Sequence, residues 1–132
     1  MREETKIWLN YATENFESAK VLLESHLYNP CLQNIQQAIE KYLKLIFIEN
    51  SIKLKRTHKI FELISKLKGL DIFIEIDEDE IDLIDSIYLP SKYPVGGALP
   101  DFMPDENICK KCIEIAERVK KGVNNYIKNK KY

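Results

Sequence analysis

Residues 29–48, NPCLQNIQQAIEKYLKLIFI, carry apolar side chains on two faces of one helix. Leu32, Ile35, Ile39, Tyr42 and Ile46 recur at spacings of three and four, the period of a helix with a buried stripe. Cys31, Ala38, Leu45 and Ile48 make a second apolar flank beside it. Asn29 is a capping residue type, and Pro30 suits a first helical turn, where a missing N–H costs nothing. A helix that is apolar on two flanks must pack on two sides. The segment is therefore expected either at the centre of a bundle or against a second subunit.

Working outward, residues 5–25 show the same period in Trp8, Ala12, Phe16, Ala19, Leu22 and Leu23, which predicts a preceding helix. On the other side, Thr57 caps a third helix from His58 to Lys68, with Gly69 behind it. Ile72, Ile74 and Ile76 alternate as in a strand, but no second strand is available to pair with, so an extended connector packed on the bundle is the favoured expectation. Asp77 and Glu80 form a capping box for a fourth helix that is expected to end near Leu89. Four of the five prolines and two of the four glycines fall between Pro90 and Pro104, which predicts a long loop. A last helix starts near Pro104 or Asp105 and carries Ile108, Cys112, Ile115, Val119 and Tyr126 on one face. The expected fold is all-α, an up-and-down bundle of four to five antiparallel helices with a Pro/Gly loop before the last, forming one domain over residues 1–132.

Composition agrees with one globular domain: 132 residues, 45% of them hydrophobic and 31% charged, enough chain to bury a core without disulfide or metal staples. The longest apolar run, Leu45 to Ile48, is far short of a membrane span, and no apolar run follows Met1, which predicts a soluble cytoplasmic protein. Twenty basic against 21 acidic residues leave a net charge of −1, so any attraction to nucleic acid or anionic membrane must be local.

Locally, charge is segregated. Residues 71–85 hold eight acids and no base, whereas Lys53, Lys55, Arg56 and Lys59 cluster ahead of and inside the third helix. These are either solvated faces or, for the basic cluster, a phosphate site. The acidic run lacks the glycine and spacing of a calcium loop. Cys109 and Cys112 form a Cys-x-x-Cys pair, but one further cysteine and two histidines supply no second ligand pair, so they are expected to be small buried thiols. His26 suits a helix C-terminus, and His58 either bonds inward or faces a ligand. The Gly-x-Ser-x-Gly elbow, the zinc-protease helix and the phosphate-cradling glycine loop are all absent.

The second helix also carries Gln36-Gln37-Ala38-x-Glu40-Lys41-x-Leu43-Lys44 after Tyr28 and Cys31, a pattern that resembles small prokaryotic HEPN-domain proteins. Trp8, Ala12 and Ala19 in the first helix, Thr57-His58 at the third, and Tyr88, Ser91, Lys92, Tyr93 and Pro94 line up with it in order. The resemblance spans nearly the whole chain. It implies a helical bundle that often dimerises, in a family that includes RNA-cleaving toxins and partners of minimal nucleotidyltransferases.

Nuclease members of that family resemble one another in an arginine followed, after roughly four to six residues, by a histidine, a pair suited to stabilising and protonating groups around a phosphate. This chain departs from the pattern: Arg56 and His58 are one residue apart, and no histidine follows Arg118 or Lys92. The resemblance therefore implies a non-catalytic HEPN protein that binds a nucleotide or phosphorylated ligand and acts with a minimal nucleotidyltransferase, as in a toxin-antitoxin-type pair. The ligand residues expected on this basis are Gln37, Lys41, His58, Lys92 and Tyr93, with no metal. A homodimer is expected, no membrane association is, and RNA is a less favoured partner. The alternatives are a dimeric scaffold without ligand and, behind it, a ribonuclease with a degenerate site of Lys92, Tyr93 and His58.

Overall fold

A computed structural model describes residues 1–54, 56–92 and 103–130. Five helices follow in order: α1 (Glu3–Glu24), α2 (Tyr28–Glu49), α3 (Ile60–Gly69), α4 (Glu78–Lys92) and α5 (Glu106–Asn129). Among the described residues there is no strand. The alternating isoleucines form the extended connector: Ile74 and Ile76 turn inward and are buried, and Phe73 beside them is 72% exposed.

Helix α2 is the centre of the bundle. Fifteen of its 22 residues are buried, and it packs on each of the other four helices. Both apolar flanks are thus covered by this chain alone, and neither needs a second subunit. α1 and α2 form an antiparallel hairpin, since Thr5 meets Glu49, Thr13 meets Tyr42 and Asn15 meets Lys41. α5 runs the same way as α2: the Cys109 thiol near its start donates to the Tyr28 carbonyl, and Tyr126 and Lys130 near its end bond Asn50. The core therefore joins Phe16 and Ala19 of α1, Leu32, Ile39, Tyr42 and Ile46 of α2, Leu63 and Leu67 of α3, Ile84 of α4, and Cys112, Ile115 and Val119 of α5.

The connection from α2 to α3 shapes the candidate site. It leaves the end of α2 at Asn50 and reaches the level of Gln36, whose side-chain amide donates to the His58 carbonyl at 3.2 Å. Gln36 lies 13 residues before Glu49, roughly 20 Å back along a helix that rises about 1.5 Å per residue. The described residues of the connection beyond the turn, 52–54 and 56–58, therefore run back along the bundle, a span that a reach of about 3.3 Å per residue covers.

Three helix ends share one device. His26, Ser51 and Asp71 adopt φ of 59°, 55° and 60°, and each follows the last helical residue by two positions. The next residue donates five positions back in each case, Leu27 to Leu22, Ile52 to Phe47 and Ile72 to Leu67, while His26, Ser51 and Asp71 donate to Leu23, Ile48 and Lys68. This is the paired bonding of a Schellman cap, built here without glycine. Gly69, expected to end α3, is instead its last helical residue, and Asp71 takes the left-handed position.

Helix starts depart from expectation twice. α2 starts at Tyr28, with Leu27 rather than Asn29 in the cap position, and Pro30 lies in the first turn. α3 begins at Ile60 and not at His58. The Thr57 hydroxyl accepts from Lys59 N–H at 3.2 Å, but the donors at the helix start go to Asp85 of α4: Ile60 N–H at 2.6 Å and Phe61 N–H at 3.1 Å. By contrast, the Asp77–Glu80 capping box is formed reciprocally, at 3.1 and 2.8 Å, and Asp105 caps α5 by accepting from Ile108 N–H at 2.8 Å. α4 continues past Leu89 through Pro90 to Lys92, and residues 93–102 of the expected long loop lie outside the described residues.

Candidate functional site

Gln36, Glu40 and Lys44 recur every four residues along one edge of α2, and the first two meet His58 of the returning connection. All three are buried polar residues. Glu40 Oε1 is 3.0 Å from His58 Nδ1 and 3.4 Å from the Gln36 amide nitrogen, while Glu40 Oε2 accepts from Lys44 Nζ at 3.4 Å. The Glu40 and Lys44 side chains are each 11% exposed, whereas that of His58 is 59% exposed. An ion pair so covered is costly to desolvate and is tolerated only when further hydrogen bonds complete it. Here Gln36 and His58 complete it, and the pair in return fixes the orientation of an imidazole that faces outward.

On either side of His58 the connection presents Lys53, Arg56 and Lys59, all exposed. Lys55 lies outside the described residues. The cap from Asp85 anchors the start of α3 immediately after this basic strip. Burial pushes the Asp85 carboxyl above the usual aspartate value, against the two backbone donors that lower it.

Lys41 belongs to the other edge of α2. Its ammonium donates to Asn15 Oδ1 at 2.6 Å and lies 5.9 Å from the centre of the Tyr11 ring, both on α1. Burial lowers its pKa from the ordinary lysine value, against the carboxylates of Glu40 and Glu14. Gln37, one turn before Lys41, shares that edge and is half-buried. Thus Lys41 turns to α1, whereas Glu40, the residue before it, turns to His58. Lys92 is the last residue of α4, and Tyr93 lies outside the described residues.

Arg118 on α5 is committed elsewhere. Its Nη1 lies 2.7 and 2.9 Å from the two carboxylate oxygens of Glu80, whose pKa is lowered first of all by this contact. Cys31, Cys109 and Cys112 are all buried thiols, and burial pushes the latter two up to about 12. Among the described residues no group of three or more His, Cys, Asp and Glu side chains is arranged to hold a metal ion, and no helix is long and apolar enough to cross a membrane.

The partners of His58 do not stand out from sequence as a site. Glu40 and Lys44 lie in the quoted motif at helical spacing, which marks them as neighbours, but nothing local shows that the next segment folds back over them. Asp85, within an acidic run, carries no sign of its capping role either.

The HEPN domain family matches residues 5–126. No curated protein matches the chain. Among solved structures, TT1696 from Thermus thermophilus is 21% identical, with 94% of this chain and 98% of that one covered and a TM-score of 0.75. ST0689, an archaeal HEPN homologue, is 24% identical over 96% and 99% of the two chains, with a TM-score of 0.70. The HEPN domain protein TM0613 from Thermotoga maritima is 20% identical over 93% and 98%, with a TM-score of 0.68. At such identities the structural likeness is one of fold. The family match, running from the first helix to the last, carries the assignment: this chain belongs to the HEPN domain family.

Proposed function

We propose that this chain is a non-catalytic HEPN protein that binds a nucleotide or another phosphorylated ligand along the α2–α3 connection and acts with a minimal nucleotidyltransferase, as in a toxin-antitoxin-type pair. The observation that carries it is the basic strip of Lys53, Arg56 and Lys59 around an exposed imidazole held by Glu40. Three cations on a short segment, anchored at one end by α2 and at the other by Asp85, meet phosphate oxygens with little loss of backbone freedom. Lys92 and Tyr93 join this proposal as a further cation and a stacking ring, on the family resemblance of their segment. Gln37 joins it on the resemblance alone, and Lys41 does not, because its ammonium is bound to Asn15 of α1.

Two features favour a binding protein over a nuclease. The sequence has no arginine and histidine at the spacing of the nuclease members, and Arg118 is paired with Glu80. Calorimetric titration with a nucleoside monophosphate tests the proposal. Binding that weakens with salt and is lost when Lys53, Arg56 and Lys59 are all changed to Glu supports it; absence of binding refutes it. RNA cleavage that survives repurification and disappears in His58→Ala would put a ribonuclease in its place.

A ligand-free dimeric scaffold has one observation in its favour. Ile7, Tyr11 and Val21 of α1 are 54%, 54% and 62% exposed. With α2 covered internally, this is where a second copy would dock, burying apolar surface. Light scattering of Tyr11→Glu would show a monomer in place of a dimer, with the fold unchanged.

A further inference from the structure

The first turns of α1 and the first half of the α2–α3 connection leave a groove of about 400 Å³ between them, within the size range of small-ligand sites. The partly buried indole of Trp8 lines it, together with Ile52 and Leu54, which pack on the core. The Schellman cap at Ser51 places these last two: it reverses the chain at the end of α2, so that Ile52 bonds back to Phe47 and lines the groove, with Leu54, across from Trp8 of α1.

Charge enters at the rim. Arg2, Lys53 and Glu4 line the groove, two cations against one carboxylate. The Arg2 guanidinium is tethered to the Ile48 carbonyl and lies 3.8 Å from Glu4. Lys53 is exposed and begins the basic strip that continues through Arg56 to Lys59. An indole and two aliphatic side chains beside a net positive rim select a ligand with a flat apolar part and an anionic part. A strip of cations alone would take any polyanion; the indole adds a preference for an aromatic ring.

We propose that this groove is a base-binding subsite, in which a nucleobase stacks on Trp8 and its phosphate is held by Arg2 and Lys53. It rests on the nucleotide-binding function proposed above and locates the base, which the exposed strip by itself does not. His58 then stands at the far end of the same connection, toward a second phosphate or a following nucleotide.

Trp8 is the only tryptophan in the chain, so its emission reports on this groove and no other place. The test titrates the full chain with adenosine 5′-monophosphate and, separately, with ribose 5-phosphate, following heat and indole fluorescence together. The expected result is quenching by the monophosphate that saturates with the heat, no quenching by the sugar phosphate, and binding at least fivefold weaker in Lys53→Ala, an exposed position whose replacement leaves the circular dichroism spectrum unchanged. Heat of binding with unchanged indole emission, or equal affinity for the two ligands, overturns the subsite while leaving the proposed function standing. No heat with either ligand overturns both.

Discussion

Replacing Asp85 tests the anchor that holds the candidate site in place. Its carboxylate accepts the Ile60 N–H at 2.6 Å and the Phe61 N–H at 3.1 Å, so α3 is capped by a side chain from α4. The two donors are not equal. Ile60 is fully buried, and its N–H in Asp85→Ala is left without a partner, at a cost of about 1–3 kcal/mol. Phe61 is 57% exposed and its N–H passes to water at little cost. The expected loss is about 2 kcal/mol, the upper end of what capping residues contribute elsewhere. For a chain of 132 residues that lowers the melting temperature by roughly 7 °C. Asp85→Asn keeps one acceptor and is expected to lose about 1 kcal/mol. Urea unfolding measures both, and amide hydrogen exchange should show lost protection at Ile60 ahead of the rest of α3. A loss under about 0.5 kcal/mol in Asp85→Ala, the low end for a capping residue, or unchanged protection at Ile60, would refute the capping role and with it the anchoring of residues 50–59.

Other expectations follow from single contacts. Glu80 has its pKa lowered chiefly by Arg118, so the pair contributes stability above the ordinary glutamate range that is lost as the pH falls through the depressed value. Arg118→Ala should cost about 1 kcal/mol at neutral pH, the pair being partly exposed, and less in acid below the depressed value; equal losses under the two conditions would contradict this. Cys109 and Cys112, raised to about 12 by burial, should resist an aromatic disulfide reagent in mildly alkaline buffer in the native protein, and all three thiols should react on unfolding. Asp71→Gly should stabilise by about 0.5–1 kcal/mol, because φ of 60° strains an L-residue and not glycine; a lower melting temperature would mean that Asp71 makes a compensating contact. Phe16→Ala, at a position 2% exposed between α1 and the core, should cost about 3–5 kcal/mol in the same urea assay.

What is legible in sequence divides by range. The stripe of Leu32, Ile35, Ile39, Tyr42 and Ile46 and its second flank place α2 at the centre of the bundle, since helical period and two-sided apolarity are properties of adjacent residues. The Asp77–Glu80 box and the Asp105 cap are legible for the same reason: donor and acceptor lie three positions apart. The start of α3 is not, because its acceptor is Asp85, 25 residues from Ile60, and Thr57 offers a plausible local substitute. Helix ends escape a search for glycine. Their signal is a bulky apolar residue after a polar one, His26-Leu27, Ser51-Ile52 and Asp71-Ile72, which supplies the apolar position that accompanies a Schellman cap.

The candidate site turns on a rotation of one residue. Sequence periodicity puts Gln37 and Lys41 on the polar margin of α2, where they are expected beside His58. Yet a helix advances about 100° per residue, so Gln36, Glu40 and Lys44 form a neighbouring row that faces a different partner. Which row meets His58 depends on where the connection returns, and that is decided at Ser51, where the left-handed turn reverses the chain and bonds Ile52 back to Phe47. The same turn sets Ile52 and Leu54 beside Trp8 and leaves Lys53 outward at the groove rim. One backbone reversal therefore fixes both ends of the basic strip, His58 on Glu40 at one end and the indole groove at the other. A variant that shortens residues 50–59 should disturb both together, changing indole emission and melting temperature at once, whereas Lys41→Ala, on the neighbouring row that meets α1, should leave the emission as it was.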